Sequence, residues 1–277
     1  MTVRVVTDSA ADLSDDLVKE LDIAVVPLTI RFGAEEFVDR QDLTPEEFYA
    51  RCAASPVLPE TAAPSPGAFE AAFRNAFDEG ADGVVCINIS SELSATMASA
   101  QNAARALEGR DIRVVDSRSV TWGLGSQVVA AARAAASGAT ADDIVALVED
   151  MVGRTRVYGA LDTLENLKKG GRVGNAQALI GSLLSIKPLI AVQGVVEEAG
   201  RARTRSKALR SLVDKVREAG DVENLGVMHG SAPDIEEFVT MLAEVHPKEQ
   251  IHVGEIGATI GVHGGPRVIG VTFQVLA

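Results

Sequence analysis

Four hydroxyl residues crowd one short stretch of this chain: Ser90, Ser91, Ser94 and Thr96, within VVCINISSELSATMASAQNAARAL from Val84 to Leu107. The stretch begins as an apolar, β-branched run with the character of a buried strand. It breaks into the hydroxyl-rich turn and continues as an alanine-rich helix. Such a turn gathers free backbone N–H groups and O–H donors at the carboxyl end of a strand, where open α/β sheets bind ligands. One serine, Ser90 or Ser91, suffices to cap the helix. The surplus reads as a site for a small oxyanion such as a carboxylate, because no glycine-rich loop with its lysine is present to cradle a nucleotide phosphate.

Other candidates lie far from this turn in the chain. Thr61 sits in the proline-rich SPVLPETAAPSPG, Ser55 to Gly67, where four prolines stiffen the backbone. Asp8 and Ser9 end the first apolar run and read equally as a helix-opening turn or as ligand contacts. His263 lies in GATIGVHGGP, whose glycines allow a close backbone approach, and faces either the anion site or a simple turn. His229, His246 and His252 have no carboxylate or cysteine at ligand spacing and read as structural. Lys168, Lys169 and Arg172 form a basic cluster, while Arg201, Arg203 and Arg205 alternate as if on one face of a strand. A nucleophilic role for Ser94 would need His263 as its base, but no G-x-S-x-G elbow and no acid partner are evident.

Composition narrows the function classes. The 277 residues suffice for two ordinary domains, and a net charge of -13 argues against nucleic acid or an anionic membrane as the main partner. The two cysteines, Cys52 and Cys86, have no metal-ligand spacing and suit a reduced cytoplasm. No signal-peptide pattern opens the chain, no apolar run reaches membrane-spanning length, and no cofactor motif is present. Aromatic residues are only 4 %, so a large pocket must be lined by aliphatic side chains, which suits an alkyl chain better than a stacked base.

The elements that must position these groups alternate strand and helix through the first half. This predicts an α/β protein with an N-terminal parallel, Rossmann-like sheet over 1–154 and a C-terminal mixed-sheet α/β domain over 155–277, the 55–67 loop reaching toward the second domain. Single strands are expected over 24–32, 112–115, 155–160, 225–228, 251–255 and 268–275. Helix starts are expected at Thr44 with Pro45, at Ser65 with Pro66, at Thr140 and at Ser231. A further helix carrying Leu179, Ile180, Leu183 and Leu184 follows the Gly170–Gly171 break.

In order along the chain, VVTDSAADL, TAAPSPG, SSELSATMASA, VVDS, LDTLENLKKGGRVGNAQALIGSLLSIKPLI, RTRSKAL and GVHGGP resemble the DegV family, bacterial proteins that bind fatty acids and serve a fatty acid kinase. The resemblance implies a non-enzymatic carrier. A long-chain acyl tail is buried in the second domain and its carboxylate is held between the domains by Thr61 and Ser94. His263, Arg172, Arg203 and Arg205 lie near the head group or a docked, dihydroxyacetone-kinase-like kinase. The chain departs from the family pattern at Ala62 and Ala63, where Ser-Gln is usual, at Ala95 for a glycine, and at Arg267 in place of the last glycine of Gly-Pro-Gly. A serine acyl hydrolase and a binder of another small carboxylate remain as alternatives.

Overall fold

The computed structural model describes residues 2–179 and 186–276. The chain opens with β1 (Val3–Asp8), a 3-10 turn at Ser9–Ala11, α1 (Asp15–Glu20) and β2 (Ala24–Val26). A hairpin of β3 (Thr29–Phe32) and β4 (Glu35–Val38) leads to α2 (Pro45–Ala54), β5 (Glu60–Ala62) and α3 (Pro66–Asp78). Then come β6 (Gly83–Asn88), α4 (Thr96–Ala106), β7 (Asp111–Asp116), α5 (Thr121–Ala136) and α6 (Ala141–Arg154). The second half contains β8 (Thr155–Ala160), α7 (Glu165–Lys169), β9 (Lys187–Gln193), β10 (Val195–Ala202) and α8 (Arg205–Ala219). It ends with β11 (Val222–His229), α9 (Ile235–Leu242), β12 (His252–Glu255), α10 (Ala258–Gly264) and β13 (Ile269–Val275).

The first sheet is fully parallel, in the order β2-β1-β6-β7. Every residue of its central strand β6 is buried, as expected of a parallel strand covered on both faces. Phe69, Phe73 and Ala100 of α3 and α4 pack on Val6, Val84 and Cys86 from one side. Leu124, Val128, Ile144 and Val148 of α5 and α6 pack with Val5, Val85 and Ile87 on the other. The caps follow the sequence: Thr44 and Thr140 form capping boxes with Glu47 and Asp143, and the Ser65 hydroxyl accepts from the Ala68 N–H.

The second sheet is mixed, in the order β10-β9-β8-β13-β11-β12, with β11 and β12 its parallel pair. Leu209, Leu212 and Phe238 of α8 and α9 cover one face, packing on Val227, Ile269 and Val271. α5 reaches across from the first sheet: the Trp122 indole lies over Gly226, stacks on His252 at 3.7 Å and donates to the Asn224 carbonyl at 3.1 Å. A helix between two sheets must be apolar nearly all round, and Arg133 is the one charged residue of α5. No helix among the described residues is long and apolar enough to cross a membrane.

Several expectations are corrected. Residues 24–32 are two strands in different sheets, because Pro27 has no N–H for a ladder and the Leu28 N–H turns to the Ser9 hydroxyl. The proline loop contains β5, which pairs antiparallel with β3 and sets Thr61 opposite Ile30. His263 lies on helix α10 rather than in a glycine loop. Ser231 has a positive φ, and α9 begins later, after Asp234. The three arginines do not share a strand face: Arg201 is in β10 beyond a bulge, Arg203 follows the strand's end, and Arg205 opens α8 behind its Thr204 cap. Residues Gly174–Leu179 form a 3-10 helix, while Ile180, Leu183 and Leu184 of the expected apolar helix lie outside the described residues.

Candidate functional site

Between the two sheets lies a cavity of about 840 Å³, its open mouth included. Its walls are aliphatic and come from both halves of the chain: Ile89 and Val120 from the first, Val157, Leu161, Ile190 and Val192 from the second. At one end the lining turns polar, where Thr61, Ser94, Arg172 and His263 converge. Thr61, Arg172 and His263 also line an outer vestibule with Pro59, Asn166 and Lys169, so these three stand at the threshold between the apolar interior and the surface.

Four separate elements supply these side chains. Thr61 is held by the β5–β3 ladder, and its Oγ1 lies 3.2 Å from His263 Nε2. His263 stands in the last turn of α10, four residues after Thr259, which lines the same cavity as the helical period requires. Gly170 packs directly on the imidazole: a Cβ there would sit 2.4 Å from Nδ1. Burial, reinforced by the Arg172 charge, lowers the His263 pKa to about 4, so the ring is neutral at neutral pH. With its proton on Nε2 the ring donates to Thr61 Oγ1, leaving the threonine proton for an incoming oxyanion.

Ser94 Oγ lies 2.8 Å from Thr96 Oγ1 and accepts from the Thr96 N–H at 3.3 Å. Arg172 closes the ring of polar groups: its Nε donates to the Leu93 carbonyl at 3.1 Å and its second nitrogen to Gly170 at 2.6 Å. These two bonds join the hydroxyl turn to the Gly170–Gly171 break and leave guanidinium positive charge beside the hydroxyls. Neutral donors backed by one fixed cation suit a monoanion that is bound and not transformed.

The structure brings together four of the six residues singled out in the sequence. Arg203 is exposed and Arg205 forms a two-pronged pair with Asp234 at 2.8 and 3.0 Å; neither lines the cavity. The surplus of hydroxyls at the turn is also corrected. Ser90 donates to the Gly194 carbonyl at 2.6 Å and Ser91 to Asp116 at 2.5 Å, which leaves Ser94 as the hydroxyl of the four that lines the cavity; α4 opens at Ala95 without a side-chain cap. Asp8 and Ser9 are buried behind the wall. Gly170, Asn166 and Thr259 were not recognised from sequence; reading 258–264 as a helix would have exposed the four-residue spacing of Thr259 and His263.

The hydrolase arrangement is absent among the described residues. His263 pairs with Thr61 and not with Ser94, and its Nδ1 is buried without a hydrogen-bond partner where a triad would have its acid. No group of three or more His, Cys, Asp or Glu among the described residues could hold a metal ion.

Comparison with known proteins identifies the family. The family described as "Uncharacterised protein, DegV family" matches residues 2–275. A DegV domain-containing protein of Deinococcus radiodurans is 35 % identical, with 100 % of each chain covered, and one of Streptomyces coelicolor is 36 % identical over 97 % of each. Among solved structures, a fatty-acid-binding DegV family protein of Thermus thermophilus superposes with a TM-score of 0.90 at 33 % identity over 100 % of both chains. DegV of Bacillus subtilis, described as a fatty acid binding protein, gives 0.88 at 28 % identity over 100 % of both. A stearic acid-binding protein of Eubacterium ventriosum gives 0.86 at 26 % over 98 % of both. With the family match and these relatives spanning essentially the whole chain, the protein belongs to the DegV family.

Proposed function

We propose that this protein is a carrier of long-chain fatty acids that presents the carboxyl group of its cargo to a separate fatty acid kinase, which would make an acyl phosphate. The observation that carries the reading is a largely aliphatic cavity with a polar threshold, where Thr61, Ser94, Arg172 and His263 meet. In this reading Thr61 and Ser94 donate to the carboxylate, the neutral His263 orients the Thr61 hydroxyl, and Arg172 compensates the charge. The alkyl chain lies along Val157, Ile190 and Val192. A wall made largely of aliphatic side chains argues against a small polar carboxylate as ligand, since it offers such a group few partners beyond the threshold.

The kinase belongs to the same proposal. It approaches the vestibule, where Lys169 and Arg172 offer positive charge on an otherwise acidic protein and Arg203 is exposed on the second half. The two halves, 1–154 and 155–277, act as lobes that close on the head group from either side. The test is retention of palmitate or oleate by gel filtration, comparing the unmodified protein with the double variant Thr61→Ala/Ser94→Ala. Loss of retention in a folded double variant supports the site, and undiminished retention refutes it. With a partner kinase and ATP, hydroxylamine trapping of the acyl phosphate tests the second step.

A further inference from the structure

We infer that the buried segment Asp8–Asp12 is the positioning element of the head-group site, fixing in one place the three elements that carry Ser94, Thr61 and His263. This rests on reading the cavity as a fatty-acid site. The observation is a set of hydrogen bonds from one short turn to three distant backbone N–H groups. Asp8 accepts from the Ile89 N–H at 2.9 Å and from the Asn88 amide at 3.1 Å. Ser9 Oγ accepts from the Leu28 N–H at 3.1 Å, and Asp12 accepts from the Gly257 N–H at 2.9 Å.

Each of these N–H groups stands just before a head-group element. Ile89 follows β6 and opens the turn that reaches Ser94. Leu28 precedes β3, whose Ile30 is paired with Thr61. Gly257 is the N-cap of α10, which carries His263. α10 is also fixed at Thr259, whose hydroxyl donates to Asp39 at 2.6 Å and lies 3.4 Å from Ser9 Oγ. Six residues of helix carry that fixed start about 9 Å to His263.

Apolar side chains would fill this space at lower cost than buried carboxylates, which must be paired or hydrogen-bonded to be tolerated. What the carboxyl groups supply is direction, because each sets an oxygen at hydrogen-bond distance from one particular backbone N–H. The approach of Asp12 to Gly257 is close enough to require glycine: a Cβ there would lie 2.8 Å from the carboxylate oxygen. Arg40 lies 3.6 Å from the same oxygen, with its own N–H donating to the Leu13 carbonyl at 2.7 Å. None of Asp8, Ser9 and Asp12 lines the lipid cavity, so each acts through the groups that do.

The test compares palmitate with hexadecanol, which has the same chain and a neutral head, on Asp12→Ala and Asp12→Asn. The His263 ring signals are followed by NMR in the ligand-free proteins. Asp12→Ala is expected to weaken palmitate about tenfold, the size of one buried N–H left without its acceptor, and to leave hexadecanol within about twofold. It also shifts the His263 signals, while Asp12→Asn, which keeps an oxygen for the Gly257 N–H, restores both readouts. Should Asp12→Ala not fold, Ser9→Ala removes the acceptor of the Leu28 N–H more mildly and is expected to give the same split. Equal losses for both ligands, or unchanged palmitate affinity with unmoved His263 signals, would overturn the inference. If the unmodified protein binds neither ligand, the fatty-acid reading fails, and the His263 signals alone then decide the positioning role.

Discussion

Thr61 and His263 lie 202 residues apart in the chain, and their side chains meet at 3.2 Å. One comes from a three-residue strand between prolines and the other from the last turn of a short helix. With its proton on Nε2, the neutral imidazole donates to the Thr61 hydroxyl oxygen, and the threonine proton is then free to point into the cavity. The chemistry of the threshold depends on that pair remaining neutral and in register.

Gly170→Ala tests the register. Gly170 has ordinary right-handed backbone angles, so alanine adds no backbone strain, yet its Cβ would fall 2.4 Å from Nδ1 and 2.8 Å from Cε1 of His263. The ring must move away from Thr61. We expect weaker palmitate binding with a modest stability loss, ~1–3 kcal/mol as for other overpacked sites. Calorimetric titration and a thermal melt on the same sample separate the two effects.

His263 also sets a pH dependence. Its pKa falls from 6.5 in the unfolded chain to about 4 in the folded protein, so between those values the unfolded chain binds more protons. The stability from keeping the ring neutral is therefore complete above pH 6.5 and is lost as pH falls toward 4. Asp8 and Asp12, whose pKa values burial raises to about 6 and about 7, act in the opposite sense: their contribution is full below 3.8 and is lost as pH rises through those values. Comparing the protein with His263→Gln cancels the aspartates. Urea denaturation should show the difference between the two shifting by about 2 kcal/mol between neutral pH and roughly pH 4.5, with the unmodified protein losing more.

Gly159→Val tests the depth of the cavity. Gly159 lines it beside Ile190, and a Cβ there would lie 3.4 Å from Ile190 Cγ1, close but tolerable. The added branches occupy space otherwise open to the alkyl chain. Stearate should lose more affinity than laurate, in proportion to the displaced methylenes at ~0.8 kcal/mol each. Competition against a fluorescent fatty acid across a chain-length series reads this directly.

Arg205→Met separates the structural arginine from the site. The Arg205–Asp234 pair is largely buried, with side-chain exposures of 14 % and 18 %, and hydrogen bonding to Arg205 holds the Asp234 carboxyl below its usual range. Removing the cation leaves a carboxylate stranded, at a cost of ~1–3 kcal/mol. Palmitate affinity at neutral pH should be unchanged, as measured alongside a denaturant titration.

Local chemistry made much of this legible in the sequence. The Thr44, Ser65 and Thr140 caps and the apolar run Val84–Ile87 of β6 need only their neighbours in the chain, and their elements formed where expected. The hydroxyl turn, Thr61 and His263 were legible as candidates because hydroxyls and glycines stand out from an aliphatic background, while the choice of Ser94 within the turn and of Arg172 within its basic cluster came from the family resemblance. What was hidden depends on distant partners. β5 exists because β3 lies beside it, Ser90 is occupied because Gly194 folds back onto it, and Arg205 leaves the arginine series because Asp234 meets it at the start of α8. Short glycine-rich α10 has weak helix propensity, and Asp12 and Asp39 fix its first turn from more than 200 residues away.

Mass spectrometry of the freshly purified protein, first native and then denatured, tests the central claim most directly. The account predicts a native mass exceeding that of the chain by one long-chain fatty acid, released on denaturation, and absent from the Thr61→Ala/Ser94→Ala variant. A native mass equal to that of the chain, with no shift on adding palmitate or oleate, would contradict it.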